Sequence, residues 1–118
     1  DYPYGKEYQE GGCNTLKDHA TPMPVAAGGS FPKCKSPYGI YDMVGNVAEW
    51  TRDCMNLSYL DAPTDGSAWE RGLCSSRVTR GGSWFSGSVE IRLPARFALR
   101  SGDSNDFTGL RVVRVVRE

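Results

Sequence analysis

Apolar residues along the chain fall in short clusters separated by glycine and proline, and no stretch sustains the 3.6-residue period of an amphipathic helix. With 14 Gly and 7 Pro dispersed over 118 residues, a loop-rich fold is expected. Residues 1–13 (DYPYGKEYQEGGC) are aromatic and turn-forming, and residues 20–39 contain Pro22, Pro24, Gly28, Gly29, Pro32 and Pro37, which interrupt any helix and leave an irregular covering segment. In residues 40–53 (IYDMVGNVAEWTRD) the apolar positions Ile40, Met43, Val44, Val47 and Trp50 are broken by Gly45 and Asn46, a pattern that predicts a turn or short helical start followed by a strand. Residues 55–73 carry the turn Pro63-Thr64-Asp65-Gly66 and read as an Ω-type surface loop. Arg77 to Trp84 reads as a strand ending at Gly81-Gly82, where the backbone must turn or approach another group closely. Arg92, Arg96 and Arg100 recur every four residues with Leu93, Phe97 and Leu99 between them, compatible with a helix or with a strand and a bend, although Pro94 opposes a regular helix interior. The β-branched run Gly109 to Val116 predicts a closing strand.

Composition agrees with one globular domain: 39% hydrophobic and 11% aromatic residues support a core, and 24% charged residues that sum to zero exclude the signature of disorder. No apolar run approaches the ~20 residues of a membrane span, and no basic-then-apolar leader opens the sequence, so an exported chain would have shed its leader. The neutral total conceals an asymmetry. Residues 1–76 hold six cationic and ten acidic side chains, whereas residues 77–118 hold eight arginines, no lysine and four acids. Arginine suits fixed bidentate hydrogen bonds, so the basic half reads as structural wiring or ligand contact; its spread-out charges do not form a nucleic-acid patch.

Cys13, Cys34, Cys54 and Cys74 lie about twenty residues apart with no C-x-x-C pair, and His19 is the single histidine, which disfavours zinc. An even count at wide spacing suits disulfides in an oxidising compartment. Of the three connectivities, sequence neighbours favour Cys54 with Cys74 and Cys13 with Cys34; the alternative is four unpaired buried thiols in a cytosolic protein.

Four segments, read in order, carry a resemblance: Tyr2-Pro3-Tyr4-Gly5, then Ser36 to Thr51 (SPYGIYDMVGNVAEWT), Arg77 to Trp84 (RVTRGGSW) and Thr108 to Arg114 (TGLRVVR). They resemble the formylglycine-generating enzyme (sulfatase-modifying factor) family, with the GNVxEW and RGGSW segments strongest. The loop APTDGSAW before the fourth cysteine is similar to that of many bacterial members, so a periplasmic or secreted bacterial protein is expected. The resemblance implies an α+β, C-type-lectin-like fold with little regular secondary structure. It also implies an N-terminal half, which residues 1–118 lack, so a single domain is expected that is either a fragment of a longer protein, a fold that another chain completes, or a minimal variant. Active members hold copper(I) with a cysteine pair soon after GGS; here Trp84 to Ile91 contains no sulfur, and a serine hydroxyl cannot replace a thiolate for soft copper(I). No copper is therefore expected. The family's GNxWEW tryptophan is also replaced, by Ala48, which widens or removes a wall of that site.

The resemblance maps a calcium site onto the Asp42 side chain, the Gly45 and Val47 carbonyls and the Glu49 side chain, a hard-oxygen set suited to the ion; otherwise Asp42 and Glu49 merely brace a turn. A second calcium site would fall at Asn14, Thr15, Asp18 and Ala20, on a shorter loop than in well-known members. In related variable proteins of diversity-generating retroelements the segment after RGGSW displays ligand-contacting residues, which points to Trp84, Phe85, Ser86, Ser88, Glu90, Arg92 and Arg96 as a protein or peptide contact surface. Alternatively Trp84 and Phe85 are core, and Arg92, Arg96, Arg100 and Arg111 pair with acids such as Asp53, Asp103 or Asp106. Serine catalysis through Ser86 or Ser88 with Glu90 lacks an evident base, and His19 lies far away in sequence. A non-copper oxidative role for Glu90 stays open, because family members acting in pigment maturation also lack the cysteine pair. The expected function is thus a catalytically degenerate, calcium-stabilised protein or peptide binding module, with a modifying enzyme of the same superfamily and a structural subunit as rivals.

Overall fold

Ala48–Met55 (β1) and Leu73–Arg80 (β2) form the two long strands of the computed structural model, which describes residues 1–16 and 24–116. Their β-branched and aromatic residues, Trp50 and Thr51 in β1 and Val78 and Thr79 in β2, fall in the segment where the two pair in regular antiparallel register, Glu49 opposite Arg80 and Trp50 opposite Thr79, until bulges shift the register on either side of Cys54. Phe97–Arg100 (β3) pairs antiparallel with β2, and Thr108–Gly109 (β4) pairs parallel with β1, so the sheet runs β3-β2-β1-β4. Among the described residues no α-helix is formed. The Arg92–Arg100 repeat resolves into turns followed by β3, which removes the helical alternative.

The closing strand predicted over Gly109 to Val116 is realised at Thr108–Gly109 alone. Beyond it Leu110, Val112, Val113, Val115 and Val116 are each 73–85% exposed. A β-branched run has the propensity for a strand but needs a neighbour's N–H and C=O groups to become one.

The core is small. Seven apolar residues among those described are fully buried, and three of them are cysteines: Cys13, Cys34 and Cys54. Cys13 is bonded to Cys34 and Cys54 to Cys74, the pairing favoured by the sequence. The first disulfide, with Val44 and Ile91, makes one cluster, against which Tyr2, Tyr4, Tyr8 and Phe31 pack. The second closes the loop 55–73, which folds back on the sheet: the Trp69 N–H donates to Asp53 Oδ1 at 2.9 Å, and Cys54 N–H donates to the Trp69 carbonyl at 2.9 Å. At the loop's tip the Ser67 hydroxyl and N–H both donate to Asp65, holding that carboxyl below its usual range.

The Gly45-Asn46 interruption is the stitch between the covering segments and the sheet. Gly45 has φ +71°, and a Cβ there would lie 2.6 Å from the Asn14 carbonyl oxygen, so both backbone conformation and space demand glycine. Gly45 N–H donates to the Gly81 carbonyl, Asn46 N–H to the Asn14 carbonyl, and Trp84 N–H to the Asn46 carbonyl, all at 2.8–2.9 Å. The Asn46 side-chain oxygen accepts from Ala26 N–H and from Asn14 Nδ2, while its amide donates to the Ala26 carbonyl. One amide side chain thus satisfies segments 20 and 32 residues away in sequence.

Candidate functional site

Gly81 (φ +88°) and Gly82 (φ +65°) turn the chain sharply out of β2 into the 83–91 segment. There a serine turn forms: Ser83 N–H donates to Ser86 Oγ at 2.9 Å and Ser86 N–H donates back to the Ser83 carbonyl at 3.0 Å. The next turn is closed by Glu90, whose carboxylate accepts the Gly87 N–H. Ile91, fully buried, anchors the end of the segment against the Cys13–Cys34 disulfide. The segment is thereby held between the sheet and the N-terminal cover, with Leu16 N–H donating to the Ser86 carbonyl at 3.2 Å.

Between this segment and the sheet lies a cavity of about 250 Å³. Phe85, Ser86 and Glu90 of this segment, Phe97 and Leu99 of β3, and Phe107 line it, with Ala48 and Thr79 among the sheet residues facing it. Phe85 packs edge-on against Phe107 (4.8 Å) and against Trp84 (4.9 Å), so the aromatic wall is continuous and reaches the surface, where Phe85 is 40% exposed. Such a cavity, mostly apolar with a few hydroxyl and carboxylate groups, has the chemistry of a ligand site.

Of the seven contact residues expected from the sequence, Phe85, Ser86 and Glu90 line the cavity, and Trp84 backs it while donating from Nε1 to the Asp106 carbonyl at 3.4 Å. Ser88, Arg92 and Arg96 are not among its walls. The Ser88 carbonyl instead accepts the Tyr2 hydroxyl, and Arg96 stacks on Tyr59 with its Cζ 3.9 Å from the ring centroid. Ala48, the residue that stands in place of the family motif's tryptophan, borders the cavity. Phe97, Leu99, Phe107 and Thr79 are wall residues that the sequence reading does not include; the signal for two of them is the set of apolar positions alternating with the arginines. Glu90 contacts the Gly87 N–H and neither serine hydroxyl, so no activated Ser–Glu pair exists. His19 lies outside the described residues.

Of the expected calcium donors, Asp42, Gly45 and Val47 sit on the turn just before β1 and Glu49 lies at its start. Asp42, Val47 and Glu49 border one depression of about 230 Å³ together with Asn46 and Arg111, while Gly45 is buried beside it. Arg111 enters this depression. Its Nε donates to both Glu49 oxygens at 2.8 and 3.1 Å, and Nη2 donates to the Tyr41 and Asp42 carbonyls at 3.0 and 3.2 Å. Arg111 is therefore paired with Glu49, and not with Asp53, Asp103 or Asp106 as one alternative had it; Arg92, Arg96 and Arg100 form no ion pair among the described residues. The hydrogen bonds and charge of Glu49 push the Arg111 guanidinium further above its ordinary alkaline range. A raised pKa of this kind stabilises below the unfolded-state value and is lost only as pH rises through the folded one, so the guanidinium stays charged across the neutral range. Asp42 Oδ2 accepts the Gly29 N–H at 2.7 Å.

Chemically the set is hard oxygen, which suits calcium, but one cation already engages Glu49. Among the described residues no three His, Cys, Asp or Glu side chains converge, so a metal here would draw on carbonyl and amide oxygens. In the second expected calcium set, Asp18 and Ala20 lie outside the described residues. Asn14 Oδ1 is buried with no donor among them, and Thr15 is fully buried.

Comparison with known proteins places this geometry. Over 118 residues (98% of the chain) the sequence is 31% identical to the serine/threonine-protein kinase pkn1 of Chlamydia caviae, covering 18% of that protein. Over 116 residues it is 32% identical to the inactive C-alpha-formylglycine-generating enzyme 2 of Bos taurus, 89% of this chain and 33% of that one. The fold superposes on PvdO from Pseudomonas aeruginosa with a TM-score of 0.77 and 34% identity, covering 93% of this chain and 42% of PvdO. It also superposes on the Treponema denticola variable protein 1 with a TM-score of 0.64 and 23% identity, over 84% of this chain and 34% of the other. The chain thus spans less than half the length of each. A family model, described as the sulfatase-modifying factor enzyme 1-like domain, matches residues 1–116. The loop-rich, formylglycine-generating-enzyme-like fold, the glycine-stitched turn and the GGSW segment flooring a cavity are accounted for together: the chain belongs to the sulfatase-modifying factor enzyme 1-like family.

Proposed function

We propose that this chain is a catalytically degenerate formylglycine-generating-enzyme-like domain that binds a protein or peptide through the cavity floored by Gly82 to Glu90. The observation that carries the reading is the chemistry of that cavity: aromatic walls, Ser86 and Glu90 as its polar groups, and no thiolate. Copper(I) does not fit the residues present, since all four cysteines are consumed in disulfides and Ser86 offers only a hydroxyl. The similarity to a bovine relative named as inactive points the same way.

The test is chemical-shift mapping with pooled peptides. Perturbations are expected at Phe85, Ser86, Phe97 and Phe107, and Ala48→Trp, which fills the cavity from the sheet side, is expected to abolish them while leaving the spectrum folded. Mass-spectrometric conversion of a cysteine peptide to formylglycine by this protein with copper(I) and oxygen would overturn the reading and favour the modifying-enzyme alternative.

Calcium belongs to the same proposal as a stabiliser of the turn. Asp42 and Glu49 with the Gly45 and Val47 carbonyls would hold it, and it would supply a cross-link between that turn and β1. Calcium at a hundredfold its Kd is expected to add about 3 kcal/mol of stability relative to chelator. Asp42→Asn should remove the gain. Arg111→Gln, which releases both Glu49 oxygens, should enlarge it. Identical thermal unfolding in calcium and in EGTA sinks this part of the proposal.

A second reading, in which further polypeptide completes the domain, is favoured by the exposed apolar run Leu110 to Val116. An oxidising, exported location accords with the two disulfides.

A further inference from the structure

Two guanidinium groups meet on one tyrosine of the disulfide-closed loop. Tyr59 donates its hydroxyl to the Pro94 carbonyl at 2.9 Å and accepts from Arg80 Nη2 at 3.1 Å, while Arg96 lies over its ring. Arg80 is locked further by Nη1, which donates to the Leu93 carbonyl at 3.1 Å. Arg96 is different. The aromatic face orients it, yet none of its five N–H donors reaches a protein acceptor among the described residues. The ion pairs there are Arg52–Glu70 and Arg111–Glu49, so neither Arg80 nor Arg96 is neutralised, and Asp61 and Glu90 pair with neither. Two like charges held on one side chain with no carboxylate between them repel, weakly where water screens them, and an arriving anion relieves that repulsion.

From this juxtaposition we infer that Tyr59, Arg80 and Arg96 form an anion subsite, outside the cavity's own lining, which takes a carboxylate of an acidic polypeptide segment. A guanidinium fixed by stacking keeps its planar fork free for bidentate contact with a carboxylate, and Arg80 adds charge beside it. The inference rests on the reading that the chain receives a polypeptide and specifies that polypeptide's charge. It also gives the 55–73 loop a role, since Tyr59 is what holds Arg96 in place.

The experiment follows arginine Nε–H and backbone resonances while titrating an acetyl-capped peptide of alternating glutamate and serine, its glutamine counterpart, and sodium acetate. The glutamate peptide is expected to shift Arg96 and Arg80. Arg96→Gln should weaken it about tenfold, the loss of a charge-assisted contact, with Arg96→Lys between the two because it keeps the charge without the fork. Arg114→Gln, on the exposed tail, should leave affinity unchanged. Equal binding of the glutamine peptide, with the cavity aromatics still perturbed, overturns the subsite and spares the cavity reading. Failure of every peptide to perturb either the cavity residues or the two arginines overturns both. Acetate reproducing the shifts at equal carboxylate concentration overturns the assignment to a polypeptide.

Discussion

Serine at both Cys13 and Cys34 is expected to leave the chain largely unfolded at physiological temperature. The disulfide closes a loop of 21 residues, worth about 3 kcal/mol in the chain-entropy model. Its cysteines are 1% and 2% exposed within the cluster that includes Val44 and Ile91, so the variant also places two hydroxyls where apolar atoms were packed, at ~1–3 kcal/mol each when unpaired. Small domains have about 5–15 kcal/mol in total. The Cys54→Ser/Cys74→Ser variant opens a loop of similar size but is expected to lose less, because Cys74 is only half-buried and the loop keeps its Trp69 and Tyr59 hydrogen bonds. Urea unfolding followed by circular dichroism measures both. Equal losses for the two pairs contradict the assignment of the core to the first disulfide.

Ile91→Ala is expected to cost about 3 kcal/mol, the middle of the range for truncating a fully buried aliphatic side chain. The loss should not be purely global. A Cβ added at Gly82 would lie 2.8 Å from Ile91 Cγ2, which shows how closely this side chain fills the angle between the double-glycine turn and the disulfide cluster. Emptying that angle frees the end of the 83–91 segment, so amide exchange at Gly87 and Glu90, whose hydrogen bonds close the second turn, is expected to accelerate beyond the global change. Val89→Ala, 71% exposed on the same turn, serves as control and should alter stability little. Uniform acceleration across the sheet would show that Ile91 stabilises the fold without holding the cavity floor.

Both predictions turn on the packing of Val44 and Ile91 around the first disulfide, which spacing alone did not reveal. The β-branched and aromatic composition of residues 47–53 and 77–80 announced β1 and β2, and the paired glycines after Arg80 announced the turn that both positive φ angles require. The run of valines at the end carried the same propensity but stays unpaired beyond Gly109, because strand formation depends on a partner's backbone as well as on local preference. The Asp42 to Glu49 turn was legible as an oxygen-rich site, yet the entry of Arg111, 62 residues from Glu49, was not. Of the residues named after RGGSW, Phe85, Ser86 and Glu90 line the cavity and Ser88, Arg92 and Arg96 do not, while Phe97, Leu99 and Phe107 complete the lining from segments farther along the chain.

The amino-acid sequence by itself determined the family, the loop-rich character, the two main strands and the favoured cysteine pairing. These follow from signals that act within a few residues or from motifs preserved in order. Tertiary structure alone decided which acid meets Arg111, which segments enclose the cavity and which tyrosine carries Arg80 and Arg96. The reason is physical: local period and turn chemistry say which way a side chain faces on its own element, but the partner across a cavity is chosen by packing and hydrogen-bond satisfaction between segments distant in the chain.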